Sequence, residues 1–363
     1  MRLGFLVEQC LAPVPGGTAR YTRCLGSALA ETASPGDSVE GWTALHGSTT
    51  AAVIDGVGGP HRLPLGRRAL IAAWERGVGP TPKADVVHAP TLLAPPSRGC
   101  PLVVTIHDAV PWTHPETLTQ RGVAWHRRMA LRVAASADAV IVPTQAVADD
   151  LREFLDLGDR VRVVFEGSDA LVVPLDAAAR RKKLGVPETY FVTVATLEPR
   201  KGLDVALGAL AETASPDVPL VVVGQPGWGG VDLDATAASL GLRDGQVLAL
   251  GRTSDSDLAA VLAGGLALVA PSRAEGFGLP VVEAMHAGVP VICSDAPALV
   301  EVTDGAALIT PVDDVVWLAE AMASVAGDTE LRTRLAKAGT ERAHALTWRA
   351  TAEETWAVYR EVL

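Results

Sequence analysis

Cysteine is scarce in this chain: four in 363 residues, Cys10, Cys24, Cys100 and Cys293, with neither a CxxC pair nor paired spacing. That argues against a disulfide framework and against a thiolate metal site, and it suits reduced thiols in a cytoplasm. No uncharged apolar run reaches the roughly 18 residues a spanning helix needs. The opening MRLGFLVEQC carries no long apolar stretch and no small-residue cleavage site, so no secretion signal is expected. Positive charge is also in deficit. A formal net charge of −11 is the wrong balance for general nucleic-acid binding, which needs a basic surface to displace counterions. The deficit is uneven: residues 1–173 hold 16 Lys+Arg against 17 Asp+Glu, and residues 174–363 hold 15 against 25. Two domains with different tasks are expected from that asymmetry.

The chain is 48% hydrophobic and 20% charged, enough apolar material to fold without disulfide or metal. Its length suits two domains of about 150 to 200 residues. Short β-branched runs at 3–7, 85–89, 101–107, 138–143 and 161–165 alternate with helical patterns near 17–31, 119–135 and 144–156. The scheme repeats with runs at 190–195, 219–224, 247–251, 266–271 and 289–294. Continuous apolar strands separated by helices predict parallel sheets covered on both faces. The expected fold class is therefore α/β, with two doubly wound Rossmann-like domains. Strand patterning stops in LVVPLDAAARRKKLGVPE (171–188), which places the boundary at 173/174. After residue 314 the pattern is helical, and a final helix N-capped by Thr347 is expected to cross back from the second domain (174–346) to the first.

Ligands of open parallel sheets bind beyond the carboxyl ends of the strands, so residues following each apolar run are the candidates. Gly16 and Gly17 in PVPGGTARY would let backbone N–H groups approach an anion at a helix start. His107 and Asp108 end the strand in TIHDAVPW, where the imidazole could donate to a ligand hydroxyl or meet developing charge. Arg200 and Lys201 in TLEPRKGLDVAL suit a diphosphate, one as a planar fork and one as a point charge. In PSRAEGFGLPVVEAMHAGVP, Pro280 fits the first position of a helix. Glu283 is then expected in the first turn and Glu275 on the preceding glycine loop. An ionised carboxylate offers two acceptor oxygens to a vicinal diol. Two of them flanking exposed amides suit a ligand with a diol at each end and a diphosphate between, the layout of a nucleotide sugar.

Together GGTARY, HDAVPWTHPETL, ADAVIVPTQAVADDL, TLEPRKG, VVVGQPGWGG and PSRAEGFGLPVVEAMHAGVPVICSD resemble the retaining glycosyltransferases of family GT4, which have the GT-B fold of two Rossmann-like domains facing a central cleft. Glu275 and Glu283 match the family's EX7E spacing. The resemblance implies that Glu275 and the amides of Phe277, Gly278 and Leu279 hold the donor sugar and diphosphate, and that Glu283 binds the ribose. It also implies that Arg200 and Lys201 grip the diphosphate, approached by Gly16 and Gly17 from the first domain. His107 would touch the sugar, Asp108 would lie toward the acceptor, and GRTSD, with Arg252 and Thr253, would lie near the base. One departure is Thr196, where many members carry a second arginine. The implied reaction is a retaining, metal-independent hexosyl transfer, leaning towards mannosyl, from a GDP- or UDP-linked donor to an acceptor hydroxyl, with no cofactor beyond that co-substrate.

Competing readings differ in the chemistry they require. A metal-dependent transferase would use paired aspartates such as DLD (232–234) or DSD (255–257), yet both precede helical patterns, where aspartate is favoured for its own sake. A dinucleotide oxidoreductase needs GxGxxG and a following acidic strand end, which VVVGQPGWGG imitates only in part. A nucleotide-sugar epimerase or a non-catalytic sugar-nucleotide binder would share the fold. The basic stretch TQRGVAWHRRMALR (119–132), with Trp125 and Met129 interleaved, suggests weak peripheral membrane contact.

Overall fold

The computed structural model describes residues 1–12, 16–169, 171–227 and 229–363. Its chain divides into two compact units: 1–113 with 119–167 and 347–363, and 114–118 with 168–346.

The first unit is built on seven strands, β1 (Arg2–Leu6), β2 (Ser38–Leu45), β3 (Gly58–Gly66), β4 (Val86–Ala89), β5 (Leu102–Thr105), β6 (Ala139–Val142) and β7 (Val161–Val163). They pair in parallel in the order β3-β2-β1-β4-β5-β6-β7. Leu3 and Phe5 on β1, Val86 on β4, Val103 and Val104 on β5 and Val140 on β6 are fully buried, as expected for strands covered on both faces. Strand order reverses between β1 and β4, so the crevice beyond their carboxyl ends is this sheet's ligand position. Helix Trp348–Glu361 completes the unit. The Thr347 side chain accepts from Ala350 N, Trp356 Nε1 donates to Leu29 O at 3.1 Å, and the Tyr359 hydroxyl lies 2.6 Å from His88 Nδ1. His88 is wholly buried between Tyr359 and Thr105 Oγ1 (2.8 Å). Burial, reinforced by the charge of His107, presses its pKa down to about 3, so it is a neutral structural histidine.

The second unit carries β8 (Phe191–Val194), β9 (Leu220–Val223), β10 (Val247–Gly251), β11 (Leu268–Ala270), β12 (Val291–Ser294) and β13 (Leu308–Thr310). These also run parallel, in the order β10-β9-β8-β11-β12-β13. The reversal falls between β8 and β11. A core of Phe191, Leu207, Leu220, Val222, Val269, Ile292 and Met322 fills one face of this sheet.

β2, β3 and β13 escape the sequence pattern. β2 alternates buried with half-exposed residues around Gly41, β3 is an outer strand holding Pro60 and Pro64, and β13 has three residues. An outer strand tolerates proline and polar residues because one edge needs no ladder partner. Among the described residues no helix is long and apolar enough to cross a membrane. In helix Gln120–Ser136, Met129 is buried and Trp125 packs against the first core. The apolar residues interleaved with that basic stretch therefore serve the fold.

Candidate functional site

The crevice at the reversal of the second sheet is formed by the segments that follow β8 and β11. After β8 the chain makes a single turn, Pro199–Lys201, ended by Gly202 at φ 63°. A side chain at Gly202 would bring its Cβ to 2.0 Å from Pro271 O, so only glycine lets this turn lie against the end of β11. After β11, Ser272 to Glu275 lead to Gly278, at φ 92°, which caps helix Leu279–His286. That left-handed residue starts the helix at Leu279. Pro280 is thus its second residue and Glu283 its fifth, a correction to the expected first-position proline and first-turn glutamate. Glu283 is buried at 3% exposure.

These two approaches bring Arg200, Lys201 and Glu275 together. Lys201 Nζ lies 2.6 Å from Glu275 Oε1, Arg200 Nη1 3.2 Å from Oε2, and Ser272 Oγ donates to Oε1 at 2.7 Å. Arg200 also donates to Ala274 O at 2.9 Å and meets Glu198 at 3.5 Å. Burial alone would raise the Glu275 pKa, but the Lys201 and Arg200 charges and the Ser272 hydrogen bond hold it down to about 2. Lys201 is lowered by burial and by neighbouring Arg200, with Glu275 opposing. Lys201, Ser272, Glu275, Gly278 and Pro280 line one crevice. The Lys201 and Arg200 charges are balanced by Glu275 and, at longer range, by Glu198, so an anion suits this place by competing with Glu275 for its two cations. Phe277, expected to offer its amide, has a buried side chain, and Leu279 begins the helix. A larger pocket of about 430 Å³ lies along helix Leu203–Ala211. Glu198, Asp204 and Asp232 line it, an acidic wall that disfavours a diphosphate.

Other candidates in this unit stand apart. Arg252 is exposed and Thr253 half-buried beyond β10, the edge strand, with β9 and β8 between it and β11. Asp232 caps helix Leu233–Ser239 by accepting from Ala235 N. Ser254 caps helix Asp255–Gly264, while Asp257 pairs with Arg180 at 2.9 Å. Both aspartate pairs thus sit at helix starts. Among the described residues no group of three or more His, Cys, Asp or Glu could hold a metal. The glycine-rich stretch after β9 pairs with the segment after β8, Leu197 N donating to Gln225 O at 3.0 Å; Trp228 within it lies outside the described residues.

In the first unit, Gly16 (φ 62°) and Gly17 open helix Gly16–Glu31, with open space around both. Residues 13–15 of that motif lie outside the described residues. His107 pairs its Nδ1 with Glu166 Oε1 at 2.9 Å and its Nε2 with Pro90 O at 2.9 Å. A carbonyl and a carboxylate only accept, so this geometry suits a ring protonated at both nitrogens. Burial would lower its pKa, but the Glu166 hydrogen bond and charge, the Pro90 carbonyl and Asp108 raise it. No N–H remains for a sugar hydroxyl unless one of those bonds is exchanged. Tyr21 meets the ring edge-on at 4.6 Å. Asp108 uses one oxygen to accept from Val110 N at 3.1 Å. Glu166, Ser272 and Tyr21 carried no signal of their own: each is a common residue whose contact with a candidate is set by tertiary packing.

A parallel doubly wound unit with a crevice at its reversal point is a nucleotide-binding type of architecture. Comparison with known proteins narrows this. The family model described as "Glycosyl transferases group 1" matches residues 176–342, and "Glycosyltransferase Family 4" matches 15–170. An MMP alpha-(1->4)-mannosyltransferase of Mycolicibacterium hassiacum is 32% identical over 82% of this chain and 74% of its own length. A D-inositol 3-phosphate glycosyltransferase of Segniliparus rotundus is 32% identical over 64% of this chain, which spans about half (54%) of that relative. In fold, sucrose-phosphate synthase from Thermosynechococcus elongatus matches with a TM-score of 0.78 at 22% identity, covering 99% of this chain and 98% of that one. The chain belongs to glycosyltransferase family 4, with a GT-B-like fold.

Proposed function

We propose that the chain is a retaining, metal-independent hexosyltransferase that takes its sugar, mannose or a similar hexose, from a GDP- or UDP-linked donor. The observation carrying this is the Arg200–Lys201–Glu275–Ser272 cluster at the reversal of the second sheet, with Glu283 eight residues beyond Glu275. Donor binding would draw Lys201 and Arg200 toward the diphosphate, releasing Glu275 oxygens to the sugar hydroxyls, while the helix start at Gly278–Leu279 faces the phosphates and Glu283 takes the ribose. As the anomeric C–O bond breaks, charge grows on the β-phosphate, and cations already fixed there stabilise it without reorganising. The acceptor hydroxyl attacks from the leaving-group side and passes its proton to the departing phosphate. In this scheme His107, fixed as an imidazolium by Glu166, contributes positive charge, and Asp108 lies toward the acceptor. Gly16 and Gly17 offer backbone amides, and Arg252 and Thr253 the base contacts. The 74% span of a mannosyltransferase relative supports the mannosyl leaning. Its place is proposed to be the cytoplasm, with the arginine face of helix Gln120–Ser136 as a weak docking surface for an anionic membrane.

Incubating the protein with UDP-, GDP- and ADP-linked hexoses and following release of nucleoside diphosphate tests the reading. Slow donor hydrolysis with retention at the anomeric carbon is expected. An epimerised nucleotide sugar, or binding with no turnover, would replace it with an epimerase or a non-catalytic binder.

A further inference from the structure

Arg273 lies between the two site residues Ser272 and Glu275, yet its side chain reaches the other half of the crevice. Its backbone N donates to Arg200 O at 2.8 Å. Its guanidinium donates to Pro199 O, makes a two-pronged contact with Asp204 at 3.0 and 2.7 Å, and meets Asp313 through Nε at 2.7 Å. Pro199 opens the turn that carries Arg200 and Lys201, and Asp204 follows it in the first turn of helix Leu203–Ala211. One planar fork therefore ties the Glu275 loop to both ends of the turn bearing the cations. Asp313, at φ 60° beyond β13, holds the third edge of the same guanidinium.

We propose that Arg273 is a positioning residue that sets the distance between the Arg200–Lys201 pair and Glu275. This rests on the reading of that cluster as the donor site. The geometry favours positioning over stability. Asp204 and Asp313 are more than half exposed, and exposed ion pairs contribute little to folding. The Pro199 carbonyl, by contrast, is part of the turn that aims two charges. Losing the fork frees that turn to rotate about Gly202. Charges that act on the leaving phosphate in the transition state then lose registration, which lowers kcat more than it raises KM.

The test is nucleoside diphosphate release from whichever hexose donor the wild-type protein turns over, measured for Arg273→Ala, Arg273→Lys and Asp204→Asn, with circular dichroism melts alongside. A misplacement of about an ångström costs on the order of 100-fold, so Arg273→Ala is expected to lose kcat by about that factor, with a much smaller change in donor KM and a near-native melt. Lysine keeps the charge but not the fork, so Arg273→Lys should stay impaired, Asp204→Asn should fall between, and added guanidinium ion should partly restore Arg273→Ala. Wild-type kcat in Arg273→Ala, full rescue by lysine, or a kcat loss matched by lost folded protein would overturn the proposal. Failure of the wild-type protein to turn over any donor would instead overturn the donor-site reading beneath it.

Discussion

The two sheets share one strand order around their reversal points, yet they fill the crevice there with different chemistry. In the second unit it is ionic: Lys201 and Arg200 against Glu275, with the carboxylate held at a pKa of about 2 despite its burial. In the first unit it is a hydrogen-bonded set in which both His107 ring nitrogens are engaged, by Glu166 and Pro90, and Tyr21, Thr105, His88 and Tyr359 continue inward. Topology thus fixes where a ligand can sit, and side-chain chemistry decides what it is. On the proposed reading, one crevice trades an internal counter-ion for an external anion. The other holds its imidazole ring between an internal carboxylate and a backbone carbonyl.

The sharpest way to break this contrast is Lys201→Met. On the proposed reading it removes a charge aimed at the departing phosphate and should lower donor turnover by about 100- to 1,000-fold; turnover within a few-fold of wild type would show that the ionic crevice is structural. Gly202→Ala attacks the same crevice through its backbone. With Cβ driven toward Pro271 O and an unfavourable φ, a loss of about 2 to 3 kcal/mol is expected by denaturant titration, and no loss would mean the turn does not depend on that close approach. In the first unit, Glu166→Gln should cost about 1.5 kcal/mol at low pH. Because the folded pKa of His107 is raised, its contribution is complete below the unfolded value of about 6.5 and disappears as pH climbs through the folded value. The variant and the wild type should therefore converge in alkaline buffer; a constant gap at all pH would deny the imidazolium. Thr347→Ala, which removes the cap of the last helix, should be smallest, about 1 kcal/mol, with turnover unchanged.

Much of this was legible in the sequence, and the gaps have physical causes. Runs such as VVVG and LVAP are buried on both faces and so are continuous and easy to see, whereas β3, an outer strand with two prolines, and β13, only three residues long, lack that pattern. Arg200, Lys201 and Glu275 were visible because each lies in the segment that follows an apolar strand, the position where parallel sheets bind ligands. Their ion pairing was not, since it depends on β8 and β11 being neighbours despite the β9 and β10 segments between them in sequence. Glu283 was placed one residue too early, in the first turn, because the left-handed cap at Gly278 starts the helix before the proline. Glu166 and Arg273 were missed for the same reason: their partners, His107 59 residues away and Asp204 69 residues away, are set by tertiary packing alone.

The most direct test of the ionic crevice as donor site is a crystal structure of the protein soaked with GDP or UDP. The account predicts the β-phosphate against Lys201 Nζ, the Arg200 guanidinium and the amides at Gly278–Leu279, with the Lys201–Glu275 bond opened and the ribose at Glu283. A nucleotide bound elsewhere, with Lys201 and Glu275 still paired at 2.6 Å, would contradict it.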